Sequence, residues 1–252
     1  MSKTAHIVWT CIGLSIVAAL LVAATVWGVV NRPADQPCVS LSFIIKDRAD
    51  RLYVTENELT QLLRAEELYP VGRKVDVGTL HRIELAVLHH PMVRTAQCYL
   101  TPRNEVRVQL TQRVPLLRVV KADETYFIDT DRRVMPVRAA VQDKVLTVTG
   151  TVGTRIASTQ LADFALWLQD MPYWQQHTRY LQVQSPQMIY LYLNKDAGLD
   201  VKGERIVLGS MRNFERKLKK MHTFFDNSAD ILKEKNYVEY DARYKGQVIG
   251  RY

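Results

Sequence analysis

Cysteine is scarce in this chain: 252 residues hold three, Cys11, Cys38 and Cys98, too few for a small scaffold held by disulfides. No CxxC or HExxH motif is present, and no GxSxG, SxxK or Walker-type glycine-rich loop occurs. The common metal, nucleophile and nucleotide signatures are therefore missing. A mean hydropathy of −0.14 excludes a multi-span membrane protein. Internal repeats and low-complexity tracts are absent. With 47% hydrophobic and 24% charged residues, wholesale disorder and collagen-like architectures are excluded too.

What is present begins with charge. Thirty-four Lys and Arg face 26 Asp and Glu, a formal +8 that favours an anionic surface or partner. From Ile7 to Val30, 24 residues contain no charged side chain. At about 1.5 Å per residue such a helix crosses a hydrocarbon core of about 30 Å. Trp9 and Trp27 stand near its ends, where indole rings prefer the lipid–water boundary. Val22-Ala23-Ala24 has the small residues of a signal cleavage site, but the apolar run continues through Val26, Trp27, Val29 and Val30. It reads as an uncleaved anchor. The expected layout is a cytoplasmic tail at 1–6, a transmembrane helix at 7–30 and a linker at 31–37. Lys3 precedes the span and Arg32 and Asp35 follow it, so flanking charge says little about orientation. A very short tail before a large folded region favours export of the latter.

Residues 38–112 read as one small domain. Val39 to Ile45 is a strand signal, and Thr55-Glu56-Asn57-Glu58 forms a capping box ahead of Leu59, Leu62 and Leu63. Asp76 caps a second helix with a stripe of Leu80, Ile83 and Val87, ended by Pro91. Two strands follow, with Ala96, Cys98 and Leu100 on one face and Val106, Val108 and Leu110 on one face of the next. The order β-α-α-β-β predicts a three-stranded sheet covered on one face by two helices. From residue 113 to 252 short strands dominate: Leu116–Val120, Tyr126–Asp129, Val145–Thr149, Leu181–Gln184, Met188–Leu193, Arg205–Leu208 and a strand-rich stretch from Tyr237 to Tyr252. Two helices interrupt them. One is capped near Ser158 and carries Leu161, Phe164, Ala165 and Leu168; the other follows Ser210 and carries Phe214, Leu218, Met221 and Phe225. The fold class is α+β, with a single transmembrane helix, the small domain and a mainly antiparallel β domain with two helices.

These pieces together resemble the FtsQ/DivIB family of bitopic bacterial division proteins, over nearly the full chain. They are the span; Gly72, Ile83-Glu84, His90-Pro91 and Val93; Gln112-Arg113-Val114-Pro115-Leu116-Leu117-Arg118; Tyr126-Phe127-Ile128-Asp129-Thr130-Asp131; Met135-Pro136; and Val148-Thr149-Gly150. Leu208-Gly209, Phe214, Lys217-Leu218 and Asp241-Ala242-Arg243-Tyr244-Lys245-Gly246-Gln247-Val248 complete the set. The details are most similar to the version found in Bacteroidota-type bacteria. The resemblance implies that 38–112 is a POTRA domain and that the protein is a non-enzymatic scaffold. Its place would be the inner membrane at the division septum, with the carboxyl-terminal domains in the periplasm. It also implies binding of FtsB/FtsL-type partners and other divisome components through the last strand of the β domain. Carried over, that surface is Arg243, Tyr244, Gln247 and Val248. Some relatives have a Trp near the end of this strand, where this chain has Arg251 and Tyr252.

The residues agree with a binding role. Val238, Tyr240, Ala242 and Tyr244 alternate with Glu239, Asp241 and Arg243. A terminal strand at a sheet edge can accept another chain's strand. Arg243 then selects an acidic partner and Tyr244 supplies an aromatic anchor, unless the strand is internal and Arg243 merely pairs with Asp241 or Glu239. Arg212, Arg216, Lys217, Lys219 and Lys220 make one side of the last helix basic, by solvated lysines or as a second partner or membrane surface. Cys38 and Cys98 are disulfide candidates in an oxidising compartment; the other reading is a small buried thiol at Cys98. His81, His89 and His90 lack ligand spacing, and no metal site or cofactor is expected. Asp129 and Asp131 fit a hairpin turn better than catalysis, and no small-molecule substrate or nucleic acid is expected. The alternative function is a membrane-anchored POTRA-type chaperone or translocation adaptor, whose partners would map to 38–112. A further class, an exported hydrolase, would need a polar pocket with a perturbed catalytic pair.

Overall fold

A computed structural model describes residues 14–26, 36–47, 52–138, 145–198, 201–228, 232 and 234–252. Residues 14–26 are helical (α1), with exposed apolar side chains. The remainder of the expected span, with Trp9, Cys11 and Trp27, lies outside the described residues, as do the tail at 1–6 and linker residues 31–35. Among the described residues no helix is long and apolar enough to cross a membrane. Pro37, expected in the linker, instead bridges to Lys74 and belongs to the folded part.

The chain divides into two compact units, Met1–Gln112 and Arg113–Tyr252. The first contains β1 (Ser40–Ile45), α2 (Glu56–Ala65), α3 (Val77–His89), β2 (Val93–Leu100) and β3 (Glu105–Gln112). The three strands form one sheet in the order β1-β3-β2, with β1 parallel and β2 antiparallel to β3. Both helix starts are built by the expected side chains. Thr55 Oγ1 accepts from the Glu58 amide while Glu58 accepts from the Thr55 amide, and Asp76 accepts from the Thr79 amide at 2.7 Å. Such caps contribute about 1 kcal/mol each. Leu59, Leu63, Ile83 and Val87 from the helices and Val106, Val108 and Leu110 from β3 are buried, the core that the two periodicities call for. Gln112, itself buried, accepts from the amides of Tyr53 and Val54 through its side chain.

Cys38 and Cys98 are free thiols, so the bridge considered from the sequence is not formed. Strand order supplies the reason. Cys38 leads into β1 and Cys98 lies on β2, with β3 between them. Two strand spacings are about 9.5 Å, beyond the roughly 7 Å Cα separation a disulfide tolerates. Burial, with Glu84 nearby, pushes the Cys98 thiol up to about 12.

The second unit is built on a nine-stranded sheet, in the order β12-β11-β10-β9-β8-β7-β4-β5-β6. Its strands are β4 (Pro115–Val120), β5 (Thr125–Asp129), β6 (Val134–Pro136), β7 (Leu146–Gly150), β8 (Thr178–Ser185), β9 (Met188–Leu193), β10 (Arg205–Gly209), β11 (Glu239–Asp241) and β12 (Ile249–Arg251). The sheet is mixed: β4–β7, β7–β8 and β10–β11 are parallel and the other pairs antiparallel.

The helices are α4 (Thr154–Ile156), continued by a π-helical segment (Ala157–Leu161) into α5 (Ala162–Gln169), then α6 (Pro172–His177) and α7 (Phe214–Asn227). The first of these begins four residues before the expected cap at Ser158. The Ser158 hydroxyl donates to the Thr154 carbonyl at 3.0 Å and Thr159 to Arg155 at 2.6 Å, so both bond backward inside a helix rather than capping one. Helix α6 was not expected at all; it is six residues long and opens on a proline. Leu181, Val183, Ile189, Leu191, Ile206 and Leu208 alternate onto the sheet face that joins Phe164 and Leu168 of α5 and Leu218, Met221 and Phe225 of α7 in one core.

An ion pair between Arg113 and the end of β5, and a glycine at the end of β7, hold this unit firmly. Arg113 donates to Asp129 at 2.6 Å, with the carboxylate 1% exposed, and the other Asp129 oxygen accepts from the Arg133 amide. Asp129 is thus a turn and ion-pair residue, as the hairpin account requires. Gly150 ends β7 at φ +97°, and a Cβ there would lie 2.3 Å from the Val183 carbonyl oxygen. Gly150→Ala combines a strained backbone with overpacking, and should cost about 3 kcal/mol, read as a lowered denaturant midpoint with an unchanged m-value.

Candidate partner-binding site at the carboxyl-terminal end of the sheet

Helix α7 positions the site. Its apolar stripe is fixed in the core, which leaves Lys217 and Lys220 along the flank facing the end of the chain. Lys217 Nζ donates to the carbonyls of Leu208 (2.8 Å) and Ser210 (2.7 Å). Lys220 Nζ donates to three carbonyls of one loop: Ala242 at 3.0 Å, Tyr244, and Gln247 at 2.7 Å. Three donors are what an ammonium has, so its capacity is filled. Burial lowers the Lys220 pKa, Asp241 works against that, and Arg216 adds to it. These lysines tie backbone together, which the picture of a solvated basic face does not include.

The loop they hold joins β11 to β12. Strand β11 runs parallel to β10, with Glu239 opposite Arg205 and Asp241 opposite Val207. Strand β12 pairs antiparallel with β11 and forms one edge of the sheet. Arg243, Tyr244, Gln247 and Val248 therefore lie in the connecting loop and not on the last strand; this corrects the sequence expectation. The alternation from Val238 to Tyr244 outlasts the strand, which ends at Asp241. Lys220 draws the following carbonyls inward, and Gly246 adopts φ +78° to complete the return. Tyr244 is 42% exposed, Arg243 and Gln247 are exposed, and Val248 packs against the core. A groove of about 360 Å³ runs between Arg216 and Lys217 on one side and Arg243, Tyr244 and Gly246 on the other.

Asp241 organises the charges. Its side chain is fully buried and accepts from Arg243 Nε (2.9 Å) and Nη2 (2.6 Å), from the Arg243 amide (3.1 Å) and from Arg251 Nη2 (2.8 Å). Glu239 accepts from Arg205 Nε at 3.0 Å and lies 3.7 Å from Arg251 Nη1. Arg205 in turn lies over the Tyr190 ring and donates to Tyr192 Oη. Arg243 thus adopts the pairing weighed against its partner-selecting role: its fork grips Asp241, and its alkyl chain lies where a Cβ at Gly209 would meet it at 2.9 Å. Gly209, at φ +67°, leaves that space open.

Burial alone would raise the Asp241 pKa, but the hydrogen bonds and charges of Arg243, with Arg251, outweigh it and hold it below 3.8. A depressed carboxylate contributes stability above its unfolded pKa and loses it as pH falls through the folded value. Protease resistance of 239–252 should therefore decline below about pH 4, and Asp241→Asn should remove that acid dependence at the cost of lower resistance at neutral pH.

Sequence reasoning named Asp241 as a pairing partner of Arg243, and Lys217 and Lys220 as part of a basic helix side, but gave neither the burial of the carboxylate nor the capture of backbone carbonyls by the two lysines. A signal existed for the lysines: positions 217 and 220 precede the stripe residues 218 and 221, on the border of the buried face. Among the described residues, no cluster of three or more His, Cys, Asp or Glu could hold a metal ion. Comparison with known proteins adds two findings. Residues 36–111 match the model of a POTRA-like domain, and residues 114–251 match the model described as FtsQ/DivIB, C-terminal related. No curated protein matches significantly. The second match spans more than half of the chain and includes every strand and helix of the carboxyl-terminal unit, so the protein belongs to the FtsQ/DivIB family of bacterial cell-division proteins.

Proposed function

We propose that the protein is a non-enzymatic divisome scaffold that docks FtsB/FtsL-type partners by strand addition at β12. The observation that carries this reading is that β12 terminates a nine-stranded sheet. An edge strand offers unpaired amides and carbonyls to an incoming strand. Main-chain pairing supplies affinity, and the exposed Tyr244 ring beside it supplies an aromatic contact. Arg243 and Arg251 act first through Asp241: they hold β11, β12 and the loop in one arrangement before a partner arrives, which lowers the ordering cost of binding. The remaining capacity of the Arg243 fork selects for acidic partner residues. In this reading the apolar segment 7–30 anchors the chain in the inner membrane, and the two folded units lie in the periplasm at the septum.

Capture from membranes tests it. The full chain should retain FtsB/FtsL-type proteins, and Gly250→sarcosine, which methylates the outward-facing edge amide without placing a Cβ against Tyr237, should lose them while keeping its melting temperature. Equal capture by both would make β12 a structural strand. Capture of extended outer-membrane clients through 38–112, with no division proteins, would favour the adaptor reading instead.

A further inference from the structure

The adjacent parallel strands β4, β7 and β8 begin at one end of the sheet, and a cavity of about 570 Å³ opens there against α5 and α6. Leu116, Leu146 and Leu168 supply apolar lining. The charged lining is cationic. Arg118 comes from β4 and Arg179 from β8, with β7 between them. Two strand spacings are about 9.5 Å, a gap that two arginine side chains can close around one ligand. Among the described residues no Asp or Glu lines the cavity.

Neither guanidinium is spent on the fold. Arg118 stands between Phe127 and Thr147 of its neighbouring strands, neither of them acidic. Neither it nor Arg179 forms a side-chain ion pair or hydrogen bond among the described residues. The other half of the same sheet is built differently: Arg205 and Arg251 both pair with Glu239. Gln169 and Gln175 line the cavity too, and Thr178 beside Arg179 keeps a buried hydroxyl without a hydrogen-bond partner. Two like charges focused in one concavity, among donors that lack acceptors, favour entry of an anion. Guanidinium groups match carboxylate and phosphate oxygens through paired N–H donors. A volume in this range suits a small molecule rather than a single side chain. We infer that this cavity binds a small dianion, which carries carboxylate or phosphate groups on an apolar body, separately from partner docking at β12.

The test is isothermal titration calorimetry on the full chain in zwitterionic-lipid nanodiscs. The probes are isophthalate and phenyl phosphate, both dianions at about pH 8, with neutral isophthalamide as control. At least one anion should bind saturably and at least about tenfold tighter than isophthalamide, a difference of about 1.4 kcal/mol. Whichever probe binds identifies the group recognised, carboxylate or phosphate. Arg118→Gln and Arg179→Gln, both at exposed positions, should each weaken that binding about tenfold. The melting temperature and β12-dependent partner capture should stay unchanged in both. Arg103→Gln, in the β2–β3 turn of the first unit, removes the same charge and should leave binding intact. An equal loss in Arg103→Gln would make the binding a response to net charge and overturn the inference. So would equal affinity for isophthalamide, insensitivity to both cavity substitutions, or no saturable binding of either anion up to about 10 mM.

Discussion

Lys220→Met should release the carboxyl-terminal layer while leaving the rest of the fold intact. The methionine keeps most of the alkyl volume and removes three charge-assisted hydrogen bonds to the carbonyls of Ala242, Tyr244 and Gln247. Hydrogen bonds to a charged group contribute about 1.5–3 kcal/mol each, but the loop is exposed enough for water to replace part of the loss, so the expected cost is about 3 kcal/mol. The cost is local because Lys220 touches residues 242–247, whereas the core contacts of α7 come from Leu218, Met221 and Phe225. Limited proteolysis should therefore cleave within 242–252 at a protease concentration that spares the wild-type chain. Binding of FtsB/FtsL-type partners should fall by at least about tenfold, since the edge strand is no longer presented. Lys220→Arg should not rescue it, because a planar fork cannot direct its donors at three carbonyls as an ammonium does.

Asp129→Ala should be the most destabilising single change in the second unit, at about 3–5 kcal/mol. The substitution leaves Arg113, 10% exposed, without its 2.6 Å partner, and also removes the acceptor of the Arg133 amide that closes the β5–β6 turn. Desolvation makes the lone charge expensive, whereas the pair itself is worth little against an apolar replacement. Arg113→Met combined with Asp129→Leu should accordingly lie well above Asp129→Ala in stability. Urea unfolding of the three proteins checks this order. If the double variant is the least stable, the pair contributes through specific geometry rather than by mutual neutralisation.

Much of the first unit was legible because its signals are local. Thr55, Glu58 and Asp76 lie within three residues of the groups they cap, and Val106, Val108 and Leu110 alternate on a strand that is buried on one face only. The apolar stripe of α7 was equally plain at helical spacing. Strand order was less accessible: the parallel pairing of β4, β7 and β8 joins segments separated by up to tens of residues, and periodicity carries no trace of it. The π-helical segment hid in plain sight, because Ser158 looks like a cap until its hydroxyl, like that of Thr159, is seen to bond backward. The site itself was half legible. The residues from Asp241 to Val248 were identified as a group, yet their alternation reads as one strand, and nothing nearby announces the turn. The chain turns there because Lys220, more than twenty residues earlier, collects the carbonyls. Asp241 reads as an exposed polar position by alternation; it is buried because Arg243 and Arg251 converge on it.

Backbone hydrogen exchange on the full chain, with and without an FtsB/FtsL-type partner, tests the docking account most directly. Strand addition at the sheet edge predicts strong partner-dependent protection of the amides in Ile249–Arg251, weaker protection around Tyr244, and little change in 38–112. Binding that leaves Ile249–Arg251 unprotected, or that protects 38–112 instead, would contradict it.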